Sequence, residues 1–179
     1  MRDKPIRTNR LAADAMFLGA ALMLAFLENL LPPLPVPGLK LGLANLAVLL
    51  CTYSMGLADG AAVALSRCLL TGLLFGSGTS ILFSLAGTLG VLAMLSLLHV
   101  CGRLLAGRIS FIGISVLTAM THHLGQLLTA GLLYGWGREI LSVYGGMLFL
   151  AGSACGGLTG WIMNLLFRRL GNMKDRFLS

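Results

Sequence analysis

Followed for polarity alone, the chain alternates long apolar runs with short breaks. The breaks fall at a Pro/Gly-rich stretch over 32–40, at Gly76-Ser77-Gly78-Thr79-Ser80, between Gly102 and Gly113, and from Gly135 to Arg138. Proline and glycine are the strongest local punctuation of a helix, and about 18 to 25 consecutive apolar residues suffice to cross the hydrocarbon core of a bilayer. The pattern predicts helices at about 11–31, 41–56, 58–76, 81–102, 114–135 and 143–168. The second is short, and only Gly56 to Gly60 separates it from the third. With no internal repeat, residues 1–179 read as a single transmembrane domain, an all-α integral membrane bundle of six helices.

Composition agrees. The 179 residues are 57% hydrophobic and 11% charged, with a mean hydropathy of +0.90, whereas a soluble domain has about a quarter of its residues charged. The formal charge of +7 raises nucleic acid as a partner, but the basic residues flank apolar runs instead of forming a stripe with aromatics. They read as a positive-inside bias. Ten of them (Arg2, Lys4, Arg7, Arg10, Arg103, Arg108, Arg168, Arg169, Lys174, Arg176) fall on one side of a six-span topology, against Lys40 and Arg138 on the other. This predicts both termini in the cytoplasm of a bacterial cell, with the chain in its cytoplasmic membrane. The first apolar run ends in Glu28-Asn29-Leu30-Leu31-Pro32 without a small-residue cleavage site, so it reads as a retained helix and not a signal peptide. The basic tail after the sixth helix suits an anionic lipid surface. Cys51, Cys68, Cys101 and Cys155 show no C-x-x-C spacing and read as reduced small hydrophobes.

Against this background the few polar positions stand out. A carboxylate at the depth of Glu28 is costly unless it faces protein or water. Irregular backbone such as the proline segment after it is tolerated near a membrane where it lines a cavity. Lys40 either snorkels to the outer interface or points back over a cavity. Asn45, with Thr52 two turns on, gives the second helix a thin polar seam, either interhelical glue or a ligand contact. Arg67 lies mid-helix, and its i±3 and i±4 neighbours Val63, Ala64, Leu70 and Thr71 include no counter-charge. A partner from elsewhere is required: Glu28, a helix-end carbonyl or a substrate anion. On the fifth helix Ser115, Thr118, His122, Gln126 and Thr129 share one face, and His123 lies about 100° around from His122. No carboxylate or thiol stands at ligand spacing to these histidines, so no metal or other cofactor is expected. Tyr144 and Trp161 read as interfacial anchors. On the first helix Ala15/Gly19 and Ala21/Ala25 form small-residue pairs that suit close helix packing, within the chain or against a separate membrane subunit.

Catalytic signatures are missing: there is no G-x-x-x-x-G-K-[ST], G-x-S-x-G or H-E-x-x-H. No two acidic residues stand within four positions of each other, whereas holding magnesium against a diphosphate calls for acidic pairs. An enzyme is not expected.

Several stretches together carry a resemblance: E-N-x-x-P-x-x-P from Glu28 to Pro35, P-G-x-K-L-G-L-A-N from Pro37 to Asn45, S-R-x-L-L-x-G around Arg67, F-S-L-A-G at 83–87, G-I-S at 113–115 and H-x-L-G-Q from His122 to Gln126. The chain resembles the membrane family called heptaprenyl diphosphate synthase component I, or Gx transporter, which is similar to the substrate-binding S components of energy-coupling factor importers. The family pattern sets asparagine where this chain has His123. The resemblance implies an S-component-like fold with a small-molecule substrate held near the outer face, under the loop between the first two helices. It also implies docking of the first helix to a transmembrane coupling subunit that meets two ATPases. In that reading Glu28, Lys40, Asn45, Arg67, His122 and Gln126 contact substrate, and Ala15, Gly19, Ala21 and Ala25 dock the partner. The alternatives are a non-catalytic membrane accessory of isoprenoid or quinone synthesis and a subunit of a membrane redox complex.

Overall fold

The computed structural model describes residues 4–30, 42–75, 78–101, 109–135 and 137–170. These form six helices, α1 (Lys4–Leu30), α2 (Leu43–Met55), α3 (Leu57–Phe75), α4 (Gly78–Val100), α5 (Phe111–Tyr134) and α6 (Arg138–Leu170), with no strand among the described residues. Five are long and apolar enough to cross a membrane, and the 13-residue α2 is a shorter apolar helix. At 1.5 Å per residue α2 measures about 20 Å, against a hydrocarbon core of about 30 Å. The chain is a multi-pass membrane protein. Lys40 and the proline segment lie outside the described residues, as do Arg2, Arg103, Arg108, Lys174 and Arg176.

Two ends of α1 fix the direction of its neighbours. Near its start, Arg10 donates to the Met55 carbonyl at 3.2 Å and pairs with the Asp59 carboxylate at 2.9 Å. Near its end, Glu28 Oε1 accepts the Leu43 backbone N–H at 3.0 Å, so α2 runs back antiparallel to α1. Gly56 then reverses the chain into α3 with a φ of 118°, a conformation that side chains other than glycine rarely adopt. Tyr53, close to that reversal, meets Phe111 and Phe167 edge to face at 5.1 and 5.9 Å. The start of α1 and the end of α6 therefore share one end of the bundle.

The helices group in two threes, α1–α2–α3 and α4–α5–α6, joined where α3 meets α4 and α2 meets α6. α2 is the hub. Leu49 and Tyr53 enter a core with Val91, Leu95, Ile114, Met163 and Phe167, while Val48 and Cys51 pack on Val63 and Ala64 of α3. A helix apolar on every side is a helix meant for burial. In lipid, however, apolar burial gives little drive between helices, and association depends on close contact through small residues. Such contacts hold α5. A methyl group added at Gly90 of α4 would lie 2.5 Å from the Thr121 carbonyl oxygen, and one at Gly160 of α6 would lie 2.5 Å from Ile112 Cα.

The four small residues expected to dock a partner divide. Ala21 is fully buried and Ala25 is 6% exposed, facing α2 and α3, whereas Ala15 and Gly19 face outward. The two pairs sit about 120° apart around a helix of 3.6 residues per turn. Ala21 and Ala25 thus serve packing within the chain and are closed to a partner.

Alanine at Gly160 or Gly90 should lower the melting temperature of the purified protein in detergent, through about 1–3 kcal/mol of overpacking. At Gly157, where an added methyl meets nothing within 4 Å, alanine should change stability by less than about 0.5 kcal/mol. Equal losses at all three would refute the close-contact account.

Candidate functional site

At the end of the bundle away from the Tyr53 cluster lies a cavity of about 330 Å³, within the range of small-molecule sites. All six helices reach it. Of the six residues expected to meet substrate, Glu28, Asn45, Arg67, His122 and Gln126 line it together; Lys40 lies outside the described residues.

Glu28 comes from the last turn of α1. Gly42 precedes α2 with a φ of 77° and offers no side-chain cap, so the first N–H of α2 finds its acceptor in the Glu28 carboxylate. This satisfies an orphan donor of the helix start and sets negative charge at the positive end of the α2 dipole. Asn45, one residue into the first turn of α2 beyond Ala44, is half-buried beside it.

Arg67 is 8% exposed. Its Nη2 donates to Thr88 Oγ1 of α4 over a long 3.4 Å, and its Nε is buried with no hydrogen-bond partner. Thr71 Oγ1, one turn further along α3 and on the same cavity wall, is buried in the same condition. No ion pair joins Arg67 to Glu28, although both line the cavity. Among the described residues, then, the counter-charge that a buried guanidinium requires is not supplied at contact distance.

His122, His123 and Gln126 form one unit. The Gln126 amide nitrogen donates to His122 Nε2 at 3.2 Å, and its oxygen accepts from His123 Nδ1 at 3.4 Å. With one donor end and one acceptor end, the amide leaves the proton of a neutral His122 on Nδ1 and requires one on Nδ1 of His123. Both rings fit against glycine: a methyl at Gly87 would lie 2.5 Å from the His122 ring, and one at Gly152 would lie 2.8 Å from His123 Nε2. His123 therefore points to α6 and reaches the cavity through Gln126 and through its edge-to-face contact with the His122 ring at 5.8 Å.

The rest of the α5 stripe serves the fold. Ser115 contacts Met163, Thr118 bonds back to the Ile114 and Ser115 carbonyls, and Thr129 to that of Gly125. Thr52 of the α2 seam is likewise fully buried and bonded to the Val48 carbonyl. Tyr144, an interfacial anchor by its sequence position, lines the cavity with Leu148 of α6, while Trp161 is exposed on the outside of the bundle. Phe83, stacked on Tyr134 with ring centroids 6.2 Å apart, supplies an aromatic wall. An apolar side chain that lines a cavity has no sequence signature separating it from one that packs.

Fold and site together define a multi-pass helical membrane protein with a mixed polar and aromatic cavity. The family described as heptaprenyl diphosphate synthase component I has a sequence model that matches residues 17–166, and the chain belongs to that family. No curated protein and no solved structure matches it.

Replacing Gly87 with alanine should push the His122 ring off Gln126 and leave the fold intact, since the obstacle is a side chain rather than backbone. In ¹⁵N-histidine spectra the His122 resonances should shift strongly, and those of His123 less, through the shared Gln126 amide and the ring contact. Unchanged His122 resonances in a folded variant would contradict this geometry.

Proposed function

We propose that this chain is the substrate-binding membrane subunit of an ATP-driven importer of the energy-coupling factor type. In this reading all six helices, the short α2 included, cross the cytoplasmic membrane of a bacterium. The end of the bundle shared by the start of α1 and the end of α6 faces the cytoplasm, and the cavity faces outward. The observation that carries the proposal is Arg67: a buried guanidinium lining a cavity of metabolite size, with no carboxylate in contact among the described residues. An anionic group of a small, partly apolar metabolite completes it. Asn45, His122 and Gln126 then offer hydrogen bonds, and Phe83 and Tyr134 an apolar wall. Lys40, outside the described residues, adds a second cation in this reading. The chain has no nucleotide-binding motif, so the energy comes from ATPases joined through a coupling subunit, which docks where α1 exposes Ala15 and Gly19. The chain itself is not an enzyme.

The family's description favours a second reading, a non-catalytic accessory of a prenyl diphosphate synthase. Arg67 would suit a diphosphate equally. A heptaprenyl tail, however, is too bulky for a cavity of about 330 Å³ and would have to lie outside it in lipid.

Mass spectrometry of small molecules retained by the protein after gentle purification tests the binding role. Wild type should retain a small organic acid. Arg67→Gln, shown by its melting curve to be folded, should lose it, with affinity down by about 30-fold or more as the charged hydrogen bonds go. No acid retained by wild type, or the same acid retained equally by both, would overturn the proposal. Prenyltransferase activity that depends on this chain would favour the second reading.

A further inference from the structure

Resting on that binding role, we infer that the cavity takes a zwitterionic metabolite, one that presents an acidic group to Arg67 and an amine to Glu28. The two opposite charges line one cavity and do not pair with each other. Each is held by a separate neutral partner: Arg67 by the Thr88 hydroxyl on α4, and Glu28 by the Leu43 N–H at the start of α2. That leaves Arg67 Nε buried and without a partner. Among the described residues Glu28 uses one carboxylate oxygen, so the other can accept.

Between them the described residues give the cavity formal charges that cancel but stand apart, a fixed dipole. A ligand bearing only an anionic group would satisfy Arg67 and set its own charge against Glu28. A ligand bearing only an amine would do the reverse. A ligand with both groups meets opposite charge at each end, the complementary arrangement that gives specificity at a buried site. Phe83 of α4 and Leu148 of α6, which line the same cavity, call for a compact apolar or aromatic body. The class is that of an amino acid or a similarly small amino-carboxylate.

Three probes that share one aromatic body separate the possibilities: phenylalanine, 3-phenylpropionate (acid only) and phenethylamine (amine only). Thermal stabilisation of the full-length purified protein is read for wild type, Glu28→Gln and Arg67→Gln. Glutamine at position 28 can still accept the Leu43 N–H, so the α2 cap survives. Wild type should be stabilised by phenylalanine well beyond either single-charge probe. Glu28→Gln should cost phenylalanine about 30-fold or more in affinity, the low end for removing one member of a desolvated charge pair, and should leave 3-phenylpropionate unharmed. If 3-phenylpropionate stabilises wild type as well as phenylalanine does, or if the acid found in the purified protein bears no amine, the zwitterion assignment falls while the binding role stands. Stabilisation by none of the three overturns the assignment as well, and an empty wild-type protein overturns both.

Discussion

Everything at the cavity depends on how closely α5 can approach α4 and α6. Lipid gives apolar side chains no reason to leave it, so helices in a bilayer stay together only where their backbones come near enough for dense contact. Here glycine makes that approach on both sides of α5: Gly90 and Gly125 at α4, Gly156 and Gly160 at α6. Gly87 and Gly152 extend the same contact lines and accept imidazole rings where other turns accept backbone. The feature that binds the helices together also positions the histidines, and so fixes Gln126 between them. A polar unit held on both flanks in this way keeps its orientation without a ligand.

The two ends of the bundle then divide the work. At one end Tyr53, Phe111 and Phe167 pack as an aromatic plug, with Phe111 and Phe167 stacked at 4.8 Å. At the other end Thr79, Ser80 and Ser84 of α4 stand among larger polar and aromatic side chains, and the space between the helices stays open. The brevity of α2 belongs to this division. Its seven buried positions, Ala44 through Tyr53, fill the centre of the bundle, and its start stops at the cavity rim, where Glu28 receives its first N–H.

Much of this was legible in the sequence, for a reason specific to membranes. Polar side chains are so unfavourable in lipid that each one must face protein or cavity, and in a chain with 11% charged residues the exceptions mark the interior. Glu28, Asn45, Arg67, His122 and Gln126 converge on one cavity for that reason. The helix bodies followed from the apolar runs, but their ends did not. α1 begins at Lys4, where Pro5 in a first turn has no N–H to lose, and α6 begins at Arg138. Charged turns outside the apolar run leave no trace in hydropathy. Depth was also hidden: periodicity put Ser115 and Thr118 on the face of His122 but could not say that the cavity ends above them. Small-residue spacing alone could not tell the inward pair Ala21/Ala25 from the outward pair Ala15/Gly19, because both satisfy the same four-residue rule.

Arg67 is where stability and chemistry part. A buried charge held by one long hydrogen bond contributes little to a fold, and apolar replacements of buried ionic groups are often neutral or stabilising. Nothing in the helix contacts explains a guanidinium there. Its nearest opposite charge on the cavity wall, Glu28, is engaged by the α2 backbone and stays apart from it. The fold thus sets both charges on one cavity wall without an ion pair between them, and gives Glu28 a backbone N–H in its place.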